Sequence, residues 1–209
     1  MTRDWFEKLT YFVPPALRAD AVVAGGYAVD PQLATDIDVF ILQPQWSFKG
    51  IPMKWDKERT IEGDIDLILK YLDDNDFSYE PNEHEPYGHQ RQLVATIEGA
   101  YEGKALQIIS TSFPTAQALV DSFDLSVHMM AKRPSESSHG RVMRVTFGKK
   151  WTSLRDPMRV TRWDTPRETL ARAEKLSKRY GLRVHDLDLT QLENAAIAAE
   201  VRAAGRKAA

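Results

Sequence analysis

The sequence predicts an α+β fold of mixed α/β character, in which a mixed sheet of four to six strands is flanked by helices and followed by a helical C-terminal part. Short apolar segments bounded by glycine and proline are typical of strands, and segments with apolar residues at helical spacing lie among them. A chain of 209 residues is long enough for one large domain or one domain with an appendage. We expect a core over residues 1–150 and a basic helical part over residues 151–209 that packs on it.

The first half of the chain is expected to alternate helices and strands. Residues 4–12 have the pattern of a short amphipathic helix, and "AVVAG" is a short buried strand that ends at Gly25 and Gly26. "DIDVFIL" predicts a central strand, because an apolar run follows its first residues. Apolar residues recur at helical spacing in "TIEGDIDLILKYLDD", which therefore predicts an amphipathic helix.

The second half is expected to hold a hairpin and most of the helical residues. "LVATIEG" and "KALQIIS" are the two strands of the hairpin. In "TPRETLARAEKLSKRYG", Thr165 is the expected N-cap, Glu168 completes a capping box and Gly181 lies past the helix end. The other expected elements are a helix in "PTAQALVDSF" with Pro114 in its first turn, a polar loop over residues 132–140, a strand in "RVMRVTF" and an Ala-rich helix from Thr190.

The composition limits the chemistry that the chain can carry. The sequence contains no cysteine, which excludes disulfides, thiolate catalysis and thiolate metal sites. No apolar run approaches eighteen residues, so no membrane span is expected. The segment "MTRDWFEKLTYF" lacks the basic start and apolar stretch of a signal peptide. The simplest expectation is a cytoplasmic protein.

Charge is unevenly distributed along the chain. Residues 1–130 contain 10 Lys and Arg against 21 Asp and Glu, whereas residues 131–185 contain 15 against 5. A basic region of this kind is typical of a surface that faces phosphates. Attraction between an acidic half and a basic half of the same protein explains the distribution equally well.

Two glycines and two aspartates form the most specific pattern in the sequence. Gly25 and Gly26 end one predicted strand, and Asp36 and Asp38 begin the next. Glycine lets the backbone approach a phosphate closely, and side chains two residues apart on a strand point to the same face. Two neighbouring carboxylates are ligands that Mg²⁺ prefers, and phosphoryl transfer needs such charge compensation. A glycine turn followed by a strand with solvent-facing aspartates is the alternative.

This pattern resembles the signature of the polymerase-beta-like nucleotidyltransferases. In that superfamily a strand ends in Gly-Gly or Gly-Ser, and an Asp-x-Asp or Asp-x-Glu pair starts the next strand about ten residues on. The resemblance implies a nucleotidyltransferase fold in which Gly25 and Gly26 seat the phosphates of an NTP. It also implies that Asp36 and Asp38 bind Mg²⁺ or Mn²⁺ and take part in catalysis.

Further segments are similar to nucleotidyltransferase-like proteins of phages and large DNA viruses. These segments are "ALQIIS", the Phe-Asp pair at Phe123 and Asp124, and the late helix with Arg172, Lys175, Arg179 and Gly181. The resemblance covers about residues 20–183, with long unmatched stretches between the motifs. If the chain is phage-encoded, its location would be the host cytoplasm.

The match fails at the third carboxylate of the superfamily. The equivalent strand offers Gln107, and a glutamine side chain is neutral and cannot take a proton. Asp124 is a candidate for the missing catalytic carboxylate, if the segment that follows it folds back beside the sheet. Asp124 could equally cap the preceding turn or support the structure.

Other candidate residues have a functional and a structural interpretation. Arg172, Lys175 and Arg179 are spaced to form one basic stripe on a helix, which would bind a triphosphate or face solvent. The second pair, Asp64 and Asp66, is expected to serve the start of a helix. The aromatic and basic residues after the aspartates are suited to stacking on bases or to packing the loop on the core; they are Trp46, Phe48, Lys49, Lys54, Trp55 and Lys57. The five histidines show no zinc-ligand spacing.

The sequence therefore predicts a metal-dependent nucleotidyltransferase. It would move a nucleoside monophosphate from an NTP to a hydroxyl of an RNA, a protein or a small molecule and release pyrophosphate. A catalytically weak or inactive protein of the same fold, which binds nucleotide or nucleic acid, is the first alternative. An interaction protein with an acidic and a basic face is the second. No membrane partner is expected, and the residues do not indicate an oligomeric state.

Overall fold

The computed structural model describes residues 4–43, 47–48, 51–52, 59–82, 90–137 and 140–207. The α-helices are α1 (Asp4–Thr10), α2 (Gly26–Val29), α3 (Ile61–Asp74), α4 (Ala116–Asp121), α5 (Pro166–Tyr180) and α6 (Asp186–Lys207). The strands are β1 (Ala21–Ala24), β2 (Asp36–Ile41), β3 (Ser47–Phe48), β4 (Ile51–Pro52), β5 (Glu80–Pro81), β6 (Arg91–Tyr101), β7 (Lys104–Thr111), β8 (Met130–Ser137) and β9 (Gly140–Phe147). Short 3-10 helices cover Pro15–Asp20 and Ser126–His128.

Seven of the strands form one mixed sheet in the order β5-β6-β7-β2-β1-β8-β9, and β3 and β4 form a separate two-stranded ribbon. The pair β2 and β7 is parallel, whereas β1 is antiparallel to both β2 and β8. The predicted class, a mixed sheet flanked by helices, is confirmed, but the expected number of four to six strands is too low. The central place of β2 agrees with its apolar run.

One missed strand, β8, lies mostly in the segment that the sequence predicts as a polar loop, whereas β9 contains the predicted strand "RVMRVTF". Residues 132–137 belong to β8, which pairs with β1 through Val23 opposite Lys132 and Ala24 opposite Ala131. Strand β9 follows at the edge of the sheet. Polar side chains are compatible with strands near a sheet edge, because one face and the edge itself remain near solvent. Polarity alone therefore misled the sequence prediction.

One face of the sheet carries the main hydrophobic core of the first compact unit. Val23, Ile37 and Ile108 on the sheet are fully buried against residues of α1 and α3, including Leu9 and Ile68. Since strand side chains alternate between faces, the residues on either side of Ile37 point away from this core. Burial of the apolar side chains at about 25 cal/mol per Å² is the main driving force for this packing.

The chain divides into two compact units. The first comprises Met1–Leu119 and Ala131–Thr146, and the second comprises Val120–Met130 and Phe147–Ala209. Within the second unit, α5 buries Thr169, Ala173 and Leu176. An isolated bridge also joins Leu125 to Val160.

Several helix boundaries differ from the sequence prediction. Helix α4 begins at Ala116, two residues after Pro114, because the Thr115 hydroxyl accepts a hydrogen bond from the Ala118 N–H at 3.1 Å. Helix α5 begins and ends as predicted, with Gly181 left-handed at φ 66°, but the Thr165 side chain forms no capping hydrogen bond. The last helix begins at Asp186 rather than at Thr190. Across the part of the chain that the structure describes, no helix has the length and apolar character needed to cross a bilayer.

Candidate functional site

Asp36 and Asp38 are the first and third residues of β2, and they lie on the same face of the sheet because strand side chains alternate between faces. Ile37 between them is fully buried in the hydrophobic core, while both aspartates are half-buried. Their Cα atoms are separated by two residues of extended chain, about 7 Å. The two carboxylates therefore project from the face opposite the core, as expected from the sequence.

The glycine bend lies directly beside Asp38. Strand β1 ends at Ala24, which is the antiparallel partner of Asp38. The next residue, Gly25, has φ 73° and ψ −147°, a conformation that L side chains rarely adopt. A Cβ atom at residue 25 would lie 2.9 Å from Oδ2 of Asp38. Glycine is needed here both for the backbone conformation and for the space that the carboxylate occupies.

The segment between the bend and β2 is held by local hydrogen bonds. Oδ1 of Asp30 accepts from the backbone N–H groups of Gln32 at 2.9 Å and Leu33 at 3.2 Å. Nζ of Lys104 donates to the Ala34 carbonyl at 2.7 Å, immediately before β2. Tyr27 of α2 is buried, and that burial raises the pKa of its hydroxyl to about 12. These contacts fix the position at which Asp36 begins the strand.

The strand beside β2 presents a neutral side chain to the aspartates. Strand β7 runs parallel to β2 with Gln107 opposite Asp38 and Ala105 opposite Asp36. On the far side of β7, Thr96 of β6 is opposite Gln107, and Glu80 of β5 is opposite Thr96. Partners across a sheet share a face, so these residues form a row with Asp38. Glu80 is three strand spacings from Asp38, about 14 Å.

The donor set of this face fits a single hard cation with a phosphate ligand. Magnesium in proteins is bound by one or two carboxylates and completes its octahedron with water and substrate phosphates. Asp36 and Asp38 are the two carboxylates that could serve in this way, and the neutral Gln107 lies beside Asp38. Among the described residues there is no cluster of three or more acidic, histidine or cysteine side chains that could hold a metal.

The second Asp-x-Asp pair has a structural role, as expected from the sequence. Asp64, in the first turn of α3, is 1% exposed and accepts hydrogen bonds from Arg59 at 2.8 and 3.1 Å. Arg59 also donates to the Leu42 carbonyl at 2.8 Å and to Asp20 at 2.5 Å. Asp66 is exposed on the helix. Residues two apart on a helix do not share a face, so this pair cannot act like the pair on β2.

Asp124 is engaged by α5 within the second compact unit. Its Oδ2 atom accepts a hydrogen bond from Thr169 at 2.9 Å and is bound by the guanidinium of Arg172. The backbone carbonyl of Asp124 accepts from Thr161 at 2.8 Å. This geometry agrees with structural support rather than with capping of the preceding helix, and a catalytic role for Asp124 stays a prediction.

The three basic residues of the α5 stripe, Arg172, Lys175 and Arg179, lie in different environments. Arg172 binds Asp124, Lys175 is exposed and Arg179 is half-buried. A triphosphate-binding role for these residues also stays a prediction. The aromatic and basic loop residues Trp46, Lys49, Lys54, Trp55 and Lys57, together with His84, His89 and His139, lie outside the described residues. At Phe48 the backbone alone is described.

One residue beside the aspartates, and one on the opposite face of the sheet, escaped the sequence analysis. Thr96 joins the row of Asp38 and Gln107, which only the pairing register reveals. Lys132 is half-buried opposite Val23, and its burial lowers the pKa of the ammonium group while the charge of Asp30 opposes that shift. The sequence analysis assigned Lys132 to a loop because the residues that follow it are polar.

Comparisons with known proteins leave the chain without an assigned family. Neither a protein-family model nor a curated protein matches the sequence.

Proposed function

We propose that this protein is a magnesium-dependent nucleotidyltransferase that transfers a nucleoside monophosphate from an NTP to an acceptor oxygen and releases pyrophosphate. The acceptor belongs to an RNA, a protein or a small molecule. The observation that carries the proposal is the placement of Asp38 against the Gly25 bend, with Asp36 on the same face. If the aspartates only faced solvent, the Asp38 carboxylate would not need to lie where a side chain at residue 25 would clash with it.

The chain's residues have distinct roles in this proposal. Because Gly25 has no side chain, the backbone there can seat the triphosphate and the Asp38 carboxylate can lie close to it. Asp36 and Asp38 hold the cation, and Lys104 and Asp30 fix the segment that leads into β2. When bound, Mg²⁺ offsets the negative charge of the triphosphate and orients it for in-line displacement.

A second function is supported by Gln107. A neutral side chain in the position beside Asp38 gives the site fewer negative ligands than two cations would need. A protein with the same face could bind NTP or nucleic acid and release it unchanged. This candidate predicts nucleotide binding that depends on Asp38 without production of pyrophosphate.

The experiment that tests the proposal compares three proteins for release of pyrophosphate from each NTP during a Mg²⁺ titration. Wild type and Asp66→Ala should release pyrophosphate, and Asp36→Ala should not. Asp66→Ala is the matched control because it removes a carboxylate from the other Asp-x-Asp pair. Equal NTP consumption by wild type and Asp36→Ala, or consumption by none of the proteins, would rule out the enzyme.

A further inference from the structure

We propose that the acceptor oxygen belongs to a phosphate group that is already ionised, such as a phosphate monoester, rather than to a hydroxyl. This inference rests on the proposed nucleotidyl transfer and identifies the chemical class of its second substrate. It arises from the two neutral residues, Gln107 and Thr96, that follow Asp38 across the same face of the sheet.

An attacking hydroxyl has to lose a proton, and the two described residues that follow Asp38 across the sheet are poor acceptors for it. Gln107 is opposite Asp38 and Thr96 is opposite Gln107, and neither side chain takes a proton at neutral pH. Glu80 is the next member of the row, about 14 Å from Asp38 and therefore too far to contact an oxygen that attacks at Asp38. The carboxylates of Asp36 and Asp38 are assigned to the cation.

An ionised phosphate needs no such base. The second pKa of a phosphate monoester is about 6, so a terminal oxygen carries a full charge at pH 8. That oxygen forms a bond to the α-phosphorus of the NTP, and the bond between this phosphorus and the oxygen bridging to the β-phosphorus breaks. The electron pair leaves with pyrophosphate, the product contains a new P–O–P linkage, and no proton moves in the step.

Gln107 is also suited to contact an anion. Its amide N–H₂ group can donate two hydrogen bonds to phosphate oxygens, and the neutral side chain adds no repulsion beside Asp38. A carboxylate at the same position would repel a phosphate acceptor. The half-buried position of Gln107 restricts its exposure to water, which strengthens this preference.

Glycerol phosphate is a direct probe because it offers both types of oxygen in one molecule. It is incubated at pH 8 with an α-labelled NTP, Mg²⁺ and wild-type protein, and ³¹P NMR distinguishes a P–O–P product from a phosphodiester. We expect the P–O–P product in at least a 100-fold excess, because general base catalysis typically contributes about 10²- to 10⁴-fold to hydroxyl attack. Gln107→Glu should reduce that product. Gln92→Glu, which adds the same charge near the start of β6, is the control and should not reduce it.

A binding measurement complements the product analysis. Addition of glycerol phosphate, but not of glycerol, should shift the side-chain amide signals of Gln107 in the complex with Mg²⁺ and a non-hydrolysable NTP. Gln107 is assigned by comparison with Gln107→Met. Unchanged signals would show that Gln107 does not contact the acceptor and would overturn the inference.

The product outcomes separate this inference from the proposed function. NTP consumption that depends on Asp36 but gives phosphodiester, or only free nucleoside monophosphate, would overturn the phosphate acceptor and leave the nucleotidyltransferase in place. NTP consumption that does not depend on Asp36, or none at all, would overturn both.

Discussion

Oδ2 of Asp38 lies 2.9 Å from the position that a Cβ atom at Gly25 would take. This short distance brings the end of β1 close to the start of β2. It therefore connects the glycine pair of the sequence pattern with its aspartate pair. Because any side chain at residue 25 would meet the carboxylate, a substitution of Gly25 has to act on Asp38 as well.

Gly25→Ala should therefore impair both stability and nucleotide binding. We expect the free energy of unfolding to fall by about 2 kcal/mol, because residue 25 keeps a conformation that only glycine adopts readily. The added methyl group also displaces the Asp38 carboxylate. Denaturant unfolding and a titration with NTP and Mg²⁺ measure the two effects.

Gly103→Ala is the matched control for Gly25→Ala. Gly103 has φ 74°, but a Cβ atom there would meet nothing within 4 Å. It should lose about 1 kcal/mol of stability through backbone strain and keep wild-type nucleotide binding. If both variants bind nucleotide as wild type does, the proximity of Gly25 to Asp38 has no functional consequence.

Arg59→Ala should be strongly destabilising. The substitution leaves the Asp64 carboxylate, which is 1% exposed, without the guanidinium that binds it. Breaking a buried pair on one side costs about 3 kcal/mol or more in the free energy of unfolding. Lys70→Ala provides the comparison, because Lys70 pairs with Asp74 on the exposed surface and its loss should leave the stability nearly unchanged. If Arg59→Ala and Lys70→Ala lower the free energy of unfolding equally in chemical denaturation, the ion pair of Arg59 with buried Asp64 does not stabilise the protein as proposed.

The pair of Asp124 and Arg172 should stabilise the second compact unit. A double-mutant cycle with alanine at both positions should give a coupling energy of about 1 kcal/mol in denaturant unfolding, since Arg172 is partly exposed. The exposed pair of Arg167 and Glu200, 2.9 Å apart, is the control and should couple by less than about 0.5 kcal/mol.

We expect folded Asp124→Ala to retain NTP turnover. If Asp124→Ala is stably folded but no longer turns over NTP, the Asp124 carboxylate takes part in the reaction.

Asp188 should make the stability of the protein depend on pH in acid. Burial by itself raises the pKa of Asp188, but hydrogen bonds from Arg159 and the Val160 N–H, with the charge of Arg159, hold that pKa below its usual value. A depressed carboxyl pKa means that the unfolded state binds more protons just below its own pKa of about 3.9. The stabilisation from Asp188 is therefore complete above that pH and is lost as pH falls through the folded pKa.

Asp188→Asn tests this dependence. The difference in unfolding free energy between wild type and Asp188→Asn should be constant from about pH 5 to pH 7 and should shrink below about pH 4. Denaturant unfolding at a series of pH values measures it. A difference that stays constant down to pH 3 would show that the Asp188 pKa is not depressed.

The sequence predicted the elements whose signals are local. The apolar run in "DIDVFIL" correctly predicted β2, and the positions of Gly25 and Gly181 correctly predicted the bend and the end of α5. The glycines were informative because positive φ angles exclude most other residues. The polar strand β8 was missed, since its pairing with β1 is a long-range interaction that local polarity does not encode.

The candidate site was only partly predictable for the same reason. The common face of Asp36 and Asp38 follows from the period of a strand, which is a local property. The contact between Asp38 and Gly25, and the row that includes Thr96 and Glu80, depend on the register between strands. Arg172 was seen as part of a basic stripe, but its pairing with Asp124 joins residues 48 positions apart.

The central claim is that Asp36 and Asp38 together bind a divalent cation beside a nucleotide. Titration of Mn²⁺ followed by electron paramagnetic resonance, in the presence of a non-hydrolysable NTP, measures this binding without requiring turnover. Wild type and Asp66→Asn should bind Mn²⁺ with the same affinity, and Asp36→Asn and Asp38→Asn should each lose most of it. Undiminished Mn²⁺ binding by folded Asp36→Asn and Asp38→Asn would contradict the claim.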